Sequence, residues 1–214
     1  MPKTHDLLPE GFTYITDPRI VLSIDYATSH NFIGRPITGY EKIVGILSDA
    51  AATALIKVQD ALDVMMPGHH LKIFDGYRPT QAVFDFVQWS KDPHAQQGKL
   101  EYYPHLDKPD LFKLGYIGSQ STHSRGSTVD LTITQQSKDN SNEFIELDMG
   151  TRFDFFDETA NTDSPNVSSK AKENRALLKR LMEEQGFENF PMEWWHFTLK
   201  DEPYPDAYFD FVVR

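Results

Sequence analysis

The first sustained pattern in the chain is helical. Over residues 38–66, Ile43, Ile46, Leu47, Ala50, Ala54, Leu55, Val58, Leu62 and Met65 recur at steps that place them on one face of an α-helix, and Pro67-Gly68 marks its end. The next segment, HHLKIFDGYRP, alternates instead. Leu71, Ile73 and Phe74 precede a Gly-Tyr-Arg-Pro break, which predicts a short strand running into a loop with Arg78 near the strand's end. Thr80 is placed to cap a second helix reaching about Ser90, since Ala82, Val83, Phe86 and Val87 share a face. Residues 91–118 are dense in Pro, Asp and Lys and predict an irregular connection.

Beyond that connection, STHSRGSTVDLTIT and EFIELDM predict strands, and NTDSPNVSSK predicts a loop. Residues 169–186 return to helical spacing, with Ala171, Leu177, Leu178 and Leu181 inward and Gly186 as the stop. PMEWWHFTL predicts a closing strand. Helices therefore precede and separate a set of short strands, without regular strand–helix–strand alternation. That predicts an α+β fold, a single domain over residues 1–214, with a mainly antiparallel central sheet flanked by helices. No internal repeat and no dividing linker interrupts it.

Composition narrows the function. Hydrophobic residues at 39% and charged residues at 25% of 214 positions are those of a globular chain able to bury a sizeable core. A formal charge of -11 repels polyphosphate and argues against a nucleic-acid partner. No run of 18 or more apolar residues exists, so no membrane partner is expected. The opening MPKTHDLLPEGFTYITD lacks the apolar run of a secretory signal and predicts a cytoplasmic protein. A homo-oligomer remains open. With no Cys, any metal must be held by His, Asp or Glu.

Two short clusters offer that chemistry. His123 and Asp130 flank Gly126 where loop turns into strand, and both could face one point. A catalytic zinc commonly takes three His or carboxylate ligands and leaves a fourth position for water. Glu193 and His196 in EWWHF add a carboxylate and an imidazole. Three apart along a strand they would point to opposite faces, so a bend is required for both to reach one site. Given the bend, His196 can ligate while Glu193 takes a proton from a water that the metal acidifies. Either cluster alone also fits ordinary solvated side chains. The remaining histidines, His5, His30, His69, His70, His94 and His105, are read that way.

Together, Ser121-Thr122-His123-Ser124-Arg125-Gly126-Ser127-Thr128-Val129-Asp130 and Glu193-Trp194-Trp195-His196 resemble the zinc signature of the D-Ala-D-Ala metallopeptidases. That group holds the DD-dipeptidases of vancomycin resistance and certain DD-carboxypeptidases. Thr128 stands where the family often has Ala. DYATSHNFIGRPITGY, FDGYRP, GSQSTHSRGSTVDLT, MGTRFDFFDE and EWWHFTLKDEPYPDAYFDF resemble the dipeptidase branch, so the resemblance covers nearly the whole chain.

The resemblance implies a hedgehog-like fold and one Zn2+ per chain on His123, Asp130 and His196, with Glu193 as catalytic base. It implies that Arg78 stabilises the developing oxyanion; an ion pair with Asp75 is the plain alternative for that residue. Ser121 and Asp154 would contact substrate, Asp154 near its ammonium, and Asp75 and Tyr40 would shape the pocket. The implied activity is hydrolysis of D-alanyl-D-alanine to two D-alanine. A zinc DD-carboxypeptidase acting on peptidoglycan peptides is the alternative, and would need an open groove. A zinc-stabilised domain without turnover is a third reading, against which Glu193 and Arg78 stand, since zinc binding alone requires neither.

Overall fold

The structure is a computed structural model that describes residues 8–137, 139 and 143–214, so His5 lies outside it. Its spine is the antiparallel pair β4 (His69–Asp75) and β5 (Thr128–Gln136). Leu71, Ile73, Val129, Leu131 and Ile133 are buried, and so are Thr128, Thr132 and Thr134. β5 is covered on both faces for most of its length, which is why it reads as a continuous β-branched and apolar run rather than a clean alternation.

β8 (His196–Leu199) pairs antiparallel with the start of β5, and β6 (Phe144–Glu146) pairs antiparallel with its far end. β7 (Phe187–Asn189) lies antiparallel against β8. On the other side β2 (Val21–Leu22) joins β4 in parallel. The sheet is therefore mixed, in the order β2-β4-β5-β8-β7 with β6 on β5. β2 is two residues long and pairs far along the chain, so it leaves no periodic signal in the sequence. A second, two-stranded antiparallel sheet joins β1 (Phe12–Tyr14) to β3 (Ile46–Ser48).

Helix α1 (Asp49–Met65) starts later than the apolar pattern predicts. Ile46, Leu47 and Ser48 are all buried in β3, whereas Ile43 is 55% exposed. Three successive buried positions fit a strand covered on both faces, and no helix stripe would bury them all. The helix begins where the Ser48 side chain accepts from Ala51 N at 3.3 Å.

In α2 (Thr80–Lys91), Thr80 is the first helical residue and caps nothing; Pro79 precedes it, and Asp210 Oδ1 accepts from Gln81 N at 2.7 Å. The predicted irregular connection contains two short helices, α3 (Lys99–Tyr102) and α4 (Lys108–Lys113). Ser168 caps α5 (Ser169–Glu184) by accepting from Ala171 N at 3.0 Å, and Ala171, Leu178, Leu181 and Met182 face the core. The architecture is α+β. No helix among the described residues is long and apolar enough to cross a membrane.

One feature of register positions the chemistry. Asp130 on β5 stands opposite Asp75 at the end of β4 on one side and His196 at the start of β8 on the other. Three strands thus bring three of the residues singled out by sequence into a row.

Candidate active site

His123 belongs to a short 3-10 turn, Thr122–Arg125, begun by Ser121 and ended by Gly126. Gly126 has φ 85°, and a Cβ there would lie 2.2 Å from Phe12 Cε1, so a glycine is needed to turn the chain into β5. That turn folds His123 back over Asp130. His123 Nδ1 meets the Gly76 carbonyl at 2.7 Å, which leaves Nε2 facing Asp130 Oδ2 at 3.2 Å. His196 Nδ1 lies 3.2 Å from Asp130 Oδ1 and 3.3 Å from Glu193 Oε2.

The closing strand predicted over PMEWWHFTL begins only at His196. Ahead of it the chain turns: Glu193 N donates to Phe190 O at 3.0 Å, and His196 N donates to Glu193 O at 3.2 Å. This supplies the bend that brings Glu193 and His196 to one site. Trp194 and Trp195, both buried, anchor the turn in the core.

Each of His123, Asp130 and His196 offers an atom within 4.8 Å of the others. His123 Nε2 and Asp130 Oδ1 are buried without a hydrogen-bond partner. Orphaned buried polar atoms are costly, and two converging on one point are what a cation would satisfy. The three residues could hold a metal ion.

The cluster opens on a cavity of about 210 Å3 lined by Arg78, Ser121, Asp154 and Glu193, among others. Arg78 Nε donates to Asp75 Oδ2 at 2.8 Å, and its Nη2 donates to Asp130 Oδ2 at 3.3 Å. Arg78 is therefore both an ion-pair partner of Asp75 and a wall of the cavity. Asp75 and Tyr40, expected to shape the pocket, stand behind it: Tyr40 donates to Asp75 Oδ1 at 2.7 Å, and neither lines the cavity. Ser121 lines it, and its side chain also accepts from His123 N at 3.3 Å.

Asp154 has φ 57°, the one positive value among the described non-glycine residues. A left-handed Asp is uncommon, and such strain collects at functional positions. Its Oδ2 accepts from the Tyr26 hydroxyl at 2.8 Å. Tyr26, Thr122, Tyr116 and Phe190 also line the cavity, and the sequence assigns none of them a role. Tyr26 sits in DYATSH, where no periodicity marks it.

Burial and charge pull the acidic groups apart. Burial alone would raise Asp130, but His123 and His196 hold it well below the usual carboxylate range. Burial pushes Asp154 well above that range, and the neighbouring Asp130 adds to the effect against the Tyr26 hydrogen bond. Asp75 is also raised by burial, opposed by Arg78. Burial disfavours a charged His196, yet the Asp130 and Glu193 carboxylates prevail and push it up to about 9. Asp130 and Asp154 are thus shifted in opposite directions by their surroundings.

A His/Asp/His cluster that could hold a metal ion, with a carboxylate and a guanidinium beside it in one cavity, is an arrangement suited to metal-assisted hydrolysis. The sequence pattern of the family described as D-ala-D-ala dipeptidase matches residues 15–214, and the chain belongs to that family. It is 40% identical over 210 residues to a D-alanyl-D-alanine dipeptidase of Enterococcus faecium, covering 95% of this chain and 98% of the relative. It is 41% identical over 190 residues to one of Enterococcus faecalis, covering 88% and 90%. Identity to one of Streptomyces coelicolor is 38% over 190 residues, with 88% and 90% covered. The chain is a peptidase by family.

Proposed function

We propose that the chain hydrolyses free D-alanyl-D-alanine to two D-alanine with one Zn2+ held by His123, Asp130 and His196. The observation that carries this is the convergence of those three side chains, two of them with orphaned atoms, on a cavity that Glu193 also lines. Two imidazoles and one carboxylate, with no thiolate, form a catalytic zinc set with room for a further position. Zinc bound there would acidify a water and polarise the scissile carbonyl.

The protein's own residues do the rest. Glu193, next to His196 and facing the cavity, accepts the proton of the attacking water and passes it to the leaving amine. Arg78 donates to the oxygen on which negative charge develops, and Asp75 with Tyr40 behind it hold the guanidinium in place. Asp154 pairs with the substrate ammonium, and Ser121 contacts the dipeptide.

A cavity of about 210 Å3 falls below the ~300–1,000 Å3 of drug-sized ligand sites, which favours a dipeptide over a peptidoglycan strand and so the dipeptidase over the carboxypeptidase reading. The proposal includes action as one domain of mainly antiparallel, hedgehog-like design, in the cytoplasm. Glu193→Gln tests it: turnover should vanish while about one zinc stays bound, because Glu193 serves as base and not as ligand. Loss of the metal in that variant would reject the assignment.

A further inference from the structure

A neutral imidazole has one N–H and one lone pair, and the partner at one nitrogen decides which is which. The two histidines of the cluster use opposite atoms. His123 gives Nδ1 to the Gly76 carbonyl and turns Nε2 inward. A carbonyl can only accept, so Nδ1 carries the hydrogen and Nε2 the lone pair. His196 turns Nδ1 inward, toward Asp130 and Glu193, and its outer nitrogen Nε2 lies 3.3 Å from the Thr122 hydroxyl. A hydroxyl can accept or donate, so this contact sets the tautomer less rigidly than a carbonyl would.

Thr122 is well placed for the task. It opens the same 3-10 turn that presents His123, so one rigid turn reaches both imidazoles, one directly and one through its side chain. A β-branched residue is stiff about χ1, and its hydroxyl is held in position more firmly than that of an unbranched side chain. The ring of His196 is also packed by Phe190, whose centroid is 5.5 Å away, but a phenyl ring cannot select a tautomer.

We propose that Thr122 is a positioning residue for the metal: its hydroxyl accepts from His196 Nε2–H and so keeps the Nδ1 lone pair directed at the cluster. The inference rests on the zinc reading above and deepens it. The outer partner of a ligating histidine orients the ring and raises its basicity, and removing such a partner weakens metal affinity by about 10- to 100-fold.

The experiment measures zinc affinity by chelator competition in the wild-type chain, Thr122→Val and Thr122→Ser. Valine keeps the branched shape and loses the acceptor. Thr122→Val should bind zinc about 10- to 100-fold more weakly, with Thr122→Ser recovering most of the loss. The metal-free forms should melt together, because the contact selects a lone pair and does not hold the fold. Equal zinc affinity in wild type and Thr122→Val would overturn the proposal. So would weakened binding that Thr122→Ser fails to recover, or that is matched by a lower melting temperature of the metal-free variant. If the wild-type chain itself binds no zinc, the metal reading fails, and the Thr122 assignment fails with it. A zinc-binding wild type with an unaffected Thr122→Val leaves the metal reading standing and removes only this inference.

Discussion

The Tyr26 hydroxyl donates to Asp154 Oδ2 at 2.8 Å, joining a short 3-10 turn, Asp25–Ala27, to a residue whose own backbone is left-handed. The pair fixes a buried carboxyl in the cavity wall. Burial pushes that carboxyl above its usual range, with Asp130 adding to the effect and the Tyr26 hydrogen bond opposing it. Under the proposed function, a substrate ammonium beside this carboxyl would favour its charged form.

Asp154→Ala should therefore raise KM for the free dipeptide and narrow the preference over the N-acetylated one. Steady-state kinetics on both substrates checks this, and unchanged selectivity would remove Asp154 from the contact.

Arg78→Ala should lower kcat by about 10²-fold or more if the guanidinium meets the developing oxyanion. Because Arg78 also pairs with buried Asp75, a melt of the variant must accompany the kinetics. An effect confined to KM would make Arg78 a binding residue.

Metal loading should release protons. In the metal-free protein His196 is raised from 6.5 to about 9 by the Asp130 and Glu193 carboxylates, against burial. The stabilisation from its charged form is fully present below the ordinary value and is lost as pH rises through about 9. At about pH 8 zinc therefore displaces a proton from His196, and calorimetry in buffers of different ionisation enthalpy should show release of about one proton from this group. The release should shrink as pH approaches the raised value. Its absence at about pH 8 would mean either that the two carboxylates do not raise His196 that far or that His196 does not meet the metal.

The parts of this site that sequence reveals are those in which short spacing does the geometric work. His123 and Asp130 are joined by one glycine turn, and Glu193 and His196 by one bend, so local chain geometry nearly suffices to bring each pair together. Helices α1, α2 and α5 are visible because each buries one stripe. β3 was hidden by the continuity of its apolar residues with α1, although Ser48, the actual cap, stands in plain view. The positions of Asp75 and Tyr40 behind the wall, and of Tyr26 in it, depend on which strands and loops meet in space. Register across β4, β5 and β8 decides that, and register is a property of the assembled sheet rather than of any one segment.

The most direct test is release of free D-alanine from D-Ala-D-Ala, beside L-Ala-L-Ala and N-acetyl-D-Ala-D-Ala, by the purified chain before chelation, after it, and after zinc is restored. The account predicts turnover of the free D,D-dipeptide alone, abolished by the chelator and recovered with zinc. Cleavage of only the N-blocked substrate, or zinc binding with no turnover of any of the three, would contradict it.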